Sequence, residues 1–330
     1  MKRNAYFDFL RGWAIVMVVG IHTYQEQDAT VIQLLLRQFI HCAVPLFLAI
    51  SGYFLGKKQI ETWGQYTIFI KKQVLKVYIP MFIFSIPWIV FDIFIGKNVI
   101  STILLGFIGG ISIFYFIPLI IQYYFLLPVL IKCAKKRYKI YFFLTLLISL
   151  LSTGVIIYLQ HIMCMDLPLI LSVAPFPVMI IFYYIGVMYA CVDPVKIAVK
   201  NSYLLIATFI TLFLCIFEIN ILCPYGHFVS GMKVSTQLLA TLIILFLFKP
   251  SLQVLYQSVS KLLVFKIFQF IGNVSFFIYL THLLYQILFK NFVYIDSWYV
   301  NWIIILFIST IVAFITQKII PVKFHKYIGL

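Results

Sequence analysis

Carboxylates are scarce in this chain: nine Asp and Glu stand among 330 residues, and charged residues of both signs make up only 10%. A water-soluble globule of this length needs far more ionised surface, so the shortage excludes a soluble enzyme or carrier. Long polar stretches are missing too. The largest polar insert is the short run from Lys132 to Lys139, which leaves no linker and no soluble domain. The six cysteines stand singly at 42, 133, 164, 191, 215 and 223, without the paired spacing of a metal site. Of these, Cys164 and Cys223 fall on outer segments, where a disulfide between them is one open arrangement. No segment repeats another, which argues against the duplicated halves of many transporters.

What fills the sequence is apolar: 64% hydrophobic residues, including 34 Phe and 22 Tyr. Hydropathy breaks and basic residues together delimit runs at 5–25, 32–55, 74–95, 111–131, 140–160, 171–191, 202–222, 233–249, 267–289 and 299–318. Each approaches the ~20 residues that a helix needs to cross the hydrocarbon core. Backbone groups facing lipid must be satisfied within their own segment, so these runs are helical. The expectation is an all-α integral membrane protein of about ten transmembrane helices, forming a single transmembrane domain over 1–330. The segment 96–110 is apolar but interrupted by Gly96, Gly106, Gly109 and Gly110, and reads as an interfacial or re-entrant piece. Whether it spans is open, and a span there would reverse everything downstream.

The net charge of +16 invites a nucleic-acid reading. The basic residues instead punctuate the apolar runs. With a cytoplasmic amino terminus, inside segments take all of them except Arg37, Lys97, Lys233 and Lys290 outside and Arg11 within the first span. That asymmetry places both termini in the cytoplasm and accounts for the charge without nucleic acid. The first run has no small-residue cleavage site and is read as a mature helix rather than a signal peptide.

Ionisable groups inside a membrane are costly and therefore functional candidates. Arg11 and His22 are eleven residues apart, which returns to within about 20 degrees of one helix face and separates them by roughly 16 Å. Asp8 and Glu26 fall on the same stripe and can pair with their neighbours. The plainer readings are an Asp8-paired or snorkelling arginine and a hydrogen-bonded core histidine. In the ninth run Ser275, Tyr279, His282 and Gln286 also share one face, as a helix-packing seam or as a second wall of one cavity. Lys71, Lys72 and Lys76 open the third run. The positive-inside rule explains lysines there, and so does a phosphate-bearing cytoplasmic ligand.

These residues carry a resemblance. Arg11-GWAIVMVVGI-His22 is similar to the signature of the membrane acyltransferase 3 family, and VPLFLAISGYFL from Val44 to Leu55 resembles its second helix. Lys72, Lys76 and Pro80 match the family's spaced basic residues and proline, with lysines where arginines are frequent. FYFIPLIIQYYFLLP from Phe114, FYYIG from Phe182 and IGNVSFFIYLTH from Ile271 to His282 complete the set.

The resemblance implies a multi-pass protein of the bacterial inner membrane that moves an acyl group, foremost acetyl, from cytoplasmic acyl-coenzyme A. The acceptor would be a hydroxyl of a surface polysaccharide or lipid-linked sugar. Acyl-coenzyme A is thus a co-substrate, and no metal is expected. Arg11, Lys71, Lys72 and Lys76 would hold coenzyme phosphates, His22 would act as general base or as the acylated nucleophile, and Glu26 would orient it. Tyr279 or His282 would stabilise an oxyanion. The expected partners are the donor, the sugar acceptor and the bilayer, with a homo-oligomer left open. The rival function is export of polysaccharide or lipid-linked sugar, and a non-catalytic scaffold is a third reading.

Overall fold

A computed structural model describes residues 4–23, 31–222, 233–293, 295 and 297–330, apart from the side chains of residues 31, 32 and 291. Among the described residues there are helices and no strands. In chain order they are α1 (Ala5–Thr23), α2 (Val31–Ile40), α3 (Ala43–Gly56), α4 (Trp63–Phe94), α5 (Val99–Ile108), α6 (Phe116–Ile157), α7 (Leu169–Val173) and α8 (Phe176–Cys191). There follow α9 (Pro194–Ile197), α10 (Asn201–Leu222), α11 (Val234–Leu247), α12 (Pro250–Val259), α13 (Leu263–Asn273), α14 (Ser275–Phe292), α15 (Trp298–Ile319) and α16 (Val322–Ile328).

Among the described residues six helical stretches are long and apolar enough to cross a membrane, or up to eight when two broken pairs are each taken as one span. Every expected run has a helical counterpart, and the lower number has two sources. The first is α6, which counts once although Arg137 breaks it with non-helical angles, φ −150 and ψ 64. Its 42 residues would extend about 63 Å unbroken, roughly twice the hydrocarbon thickness. The second is α8, which has only 16 residues.

The boundaries also shift. The run 32–55 is divided at His41 and Cys42, 233–249 continues as α12 after a 63° bend, and 267–289 is broken at Val274. The third helix does not open at its lysines. Thr62 caps it by accepting from the Gln65 amide at 3.3 Å, while Gln65 Oε1 accepts from Thr62 N in return, so the helix starts at Trp63. Lys71, Lys72 and Lys76 consequently lie about two to four turns inside it.

The helices group into two compact units. The first takes Met1–Lys58, Leu127–Leu167 and Pro177–Gly272. It is built on close backbone crossings. A Cβ added to Gly12 of α1 would overlap the Phe268 carbonyl of α13, and one on Gly272 would overlap the Asp8 carbonyl of α1. Gly52 of α3 meets the Tyr183 carbonyl of α8, and Gly186 meets that of Ala49, in the same reciprocal way. Lipid provides no hydrophobic drive between helices, so such backbone contact supplies the packing energy. Where α8 is irregular at Met179, φ −123 and ψ 16, side chains take up carbonyls around the irregularity. Ser149 donates to Pro177 O at 3.3 Å and Gln237 donates to Val178 O at 3.2 Å.

The second unit takes Gln59–Leu126, Pro168–Phe176 and Asn273–Leu330. Its core gathers Met81 of α4, Ile113, Phe114, Ile117 of α6 and Leu280 of α14. The ten residues of α5 extend about 15 Å, half of the hydrocarbon core, so α5 is too short to span. It ends at Gly109, whose φ of +75 turns the chain back into buried Ile111, Ile113 and Phe114. Irregular backbone is sheltered there by protein.

Candidate functional site

In α1 the carboxylate comes first. Asp8 lies in the first turn, where the helix dipole favours negative charge, and it is buried. Arg11 Nη1 donates to Asp8 Oδ1 at 3.0 Å. The guanidinium carbon stands 4.9 Å from the centroid of the Phe54 ring on α3, a cation–π distance. Phe54 is in turn packed edge-on by Phe7, which stacks on Tyr53 at 4.4 Å. Arg11 is thus held between a carboxylate and a ring, yet its side chain keeps 33% of its exposure. The charge stays reachable.

His22 is half-buried in the last turn of α1. Glu26, its expected orienting partner, lies outside the described residues, as do Cys223, Lys2 and Arg3. Between Arg11 and His22 the same stripe carries Ile15 and Val18, at 0% and 3% exposure. The face joining the two polar positions is therefore packed with protein. A ligand running along it has to part that packing.

The stripe on α14 has another character. Ser275, His282 and Gln286 are buried and Tyr279 is half-buried. His282 Nδ1 lies 3.0 Å from both the Ile278 and Tyr279 carbonyls. A carbonyl can only accept, so Nδ1 carries the proton and Nε2 is the basic nitrogen. Tyr279 donates its phenolic proton to Ile113 O at 2.5 Å, which ties α14 to the chain after α5. In this arrangement the phenol braces a loop, and an oxyanion role would require that bond to break.

Lys71, Lys72 and Lys76 on α4 are exposed, with Lys72 and Lys76 one turn apart on one face. Arg11 and His22 belong to the first unit, whereas the α4 lysines, Tyr279 and His282 belong to the second. Sequence reasoning missed Phe54 as the ring under Arg11. It also missed Lys57, whose Nζ stands 3.8 Å from the Tyr53 centroid in the same aromatic group. A basic residue spaced after adjacent aromatics was the available signal.

With this geometry in view, the comparison with known families is decisive: the family model described as an acyltransferase domain matches residues 4–318. The chain belongs to the acyltransferase 3 family. It is an acyltransferase, acting on groups other than aminoacyl, in a multi-pass helical frame. No curated protein and no solved structure matches it. Within this acyltransferase the motif glycines Gly12, Gly52, Gly186 and Gly272 are points where helix backbones touch. Among the described residues no three His, Cys, Asp or Glu side chains gather as a metal site.

Proposed function

We propose that this acyltransferase transfers an acyl group, foremost acetyl, from cytoplasmic acyl-coenzyme A to a hydroxyl of a surface polysaccharide or lipid-linked sugar in the bacterial inner membrane. The carrying observation is the α1 stripe: a half-exposed Arg11 fixed by Asp8 and Phe54, with His22 about three turns away on the same face. In this reading residues 1–330 act as one catalytic domain, with both termini cytoplasmic.

Arg11 would meet a donor phosphate, and the α4 lysines are a separate candidate for phosphate binding within their own unit. The pantetheine arm would then run over Ile15 and Val18 toward His22, displacing what packs there. His22 would take the proton of the acceptor hydroxyl as the oxygen attacks the thioester carbonyl. The imidazolium would return that proton to the departing thiolate. An acyl-histidine intermediate uses the same residue with the order of attack changed. Glu26 would orient His22, and His282 Nε2, the basic nitrogen of a fixed tautomer, is the second base candidate.

The test is turnover of labelled acetyl-coenzyme A by purified protein with membrane extract as acceptor source. His22→Ala is expected to lower transfer by about a hundredfold or more while the protein remains folded in the membrane. Substantial residual turnover would sink the proposal. Thiol release that needs both His22 and the sugar acceptor separates an acyltransferase acting on glycans from an exporter.

A further inference from the structure

The lysines of α4 have company within their own unit. α16 packs along α4, and the structure fixes it at both ends. At its start, His325 Nε2 donates to the Ile320 carbonyl at 2.9 Å. At its end, Gly329 takes the left-handed conformation, φ +83, and donates its amide to His325 O. A Cβ at Gly329 would lie 3.0 Å from Phe276 and 3.1 Å from Leu280 of α14. Phe276 and Leu280 pack in one cluster with Val77 and Met81, and Val77 adjoins Lys76 on α4. The last turn of α16 is thereby brought to the level of Lys76.

Lys323 and Lys326 are three residues apart on one face of α16, and both are exposed. Each ammonium leans over a neighbouring ring, Lys323 over Phe324 at 5.1 Å and Lys326 over Tyr327 at 4.7 Å. The sequence has no Asp or Glu from Thr62 to Phe91 or from Ser297 to Leu330, so neither helix carries a carboxylate in its packed stretch. The positive-inside rule asks only that lysines stay on one side of the membrane. It does not ask that the final helix fold back onto another lysine-bearing helix, where like charges repel. A polyanion offsets that repulsion.

We infer that Lys323 and Lys326 of α16 join Lys71, Lys72 and Lys76 of α4 in one surface for phosphate esters, which takes the nucleotide end of the acyl donor. This rests on the donor reading proposed above. Several phosphates at separate positions on one ligand suit lysines spread over two helices, because each ammonium serves as a mobile point charge. Anionic phospholipid headgroups offer the same phosphate chemistry, so the experiment keeps the two sources apart.

Purified protein in neutral-lipid nanodiscs would be assayed with acetyl-coenzyme A and with its 3′-dephospho form, as wild type, K323Q/K326Q and K71Q/K72Q/K76Q. The α16 double variant should raise KM for acetyl-coenzyme A about three- to thirtyfold, with a smaller rise for the dephospho donor. The separate K323Q and K326Q variants, each a milder change to the fold, should show intermediate rises. An unchanged KM in the α16 variants beside a raised KM in the α4 variant overturns the inference and leaves the donor reading standing. Reduced binding of the α16 variants to phosphatidylglycerol vesicles, with donor KM unchanged, overturns it in favour of lipid. An unchanged KM in the α4 variant removes the donor reading of that helix and the inference with it.

Discussion

Two polar stripes run through this acyltransferase, and their surroundings differ. On α1 the polar ends are partly open: Arg11 is gripped by a carboxylate and a ring yet a third exposed, and His22 is half-buried. On α14 the polar groups turn inward, with His282 at 0% exposure and its Nδ1 proton given to backbone carbonyls of its own helix. A ligand needs an approachable group, whereas helix packing needs satisfied ones. The contrast supports the proposal that α1 recognises the donor while much of α14 serves architecture.

The sharpest way to break that contrast is to remove one imidazole at a time. His22→Ala should lower turnover about 10²- to 10⁴-fold, the range of a general acid–base group, without moving the melting temperature. His282→Ala should lower the melting temperature as well, and an equal turnover loss with an unchanged melt would make the stripes equivalent. Next in size is Arg11→Ala, which should raise donor KM with little change in kcat, because a charge at the phosphates serves ground and transition states alike. Unchanged donor affinity would reduce Arg11 to orienting α1.

The glycine crossings come third. Gly272→Ala and Gly12→Ala drive a methyl into backbone, and should destabilise by about 1–3 kcal/mol or more, as overpacking does. Gly64 and Gly154 meet nothing within 4 Å, so Ala there should be neutral or stabilising by about 0.4–1 kcal/mol. Thermal melts in detergent compare the two sets directly. Tyr279→Phe has the smallest expected effect on turnover. It leaves the Ile113 carbonyl without its donor at a cost of about 1–3 kcal/mol and should change turnover little. A large turnover loss at an unaltered melt would return Tyr279 to the chemistry.

Much of this was legible in the residues. Arg11 and His22 share a face because helical periodicity is a local property, and the lysine spacing on α4 is equally local. The helix starts were less legible. Thr62 and Gln65 form a capping box well ahead of the hydropathy break, and propagation from that cap sets the boundary rather than apolarity. The breaks at His41–Cys42 and Val274 carry no proline or long polar run to announce them. The glycine pairs were visible as letters but not as contacts, since nothing in Gly12 names Phe268 as its neighbour.

By itself, then, the sequence determined that the chain is helical and lies in lipid, because hydropathy and backbone satisfaction act within each segment. It also determined which polar residues share a helix face. Only the tertiary structure decided what each face meets: Phe54 beneath Arg11, packed Ile15 and Val18 between Arg11 and His22, and Ile113 accepting from Tyr279 across 166 residues of chain. Those contacts depend on which helices lie side by side, and helix association in a bilayer is governed by close shape fit that no single segment encodes.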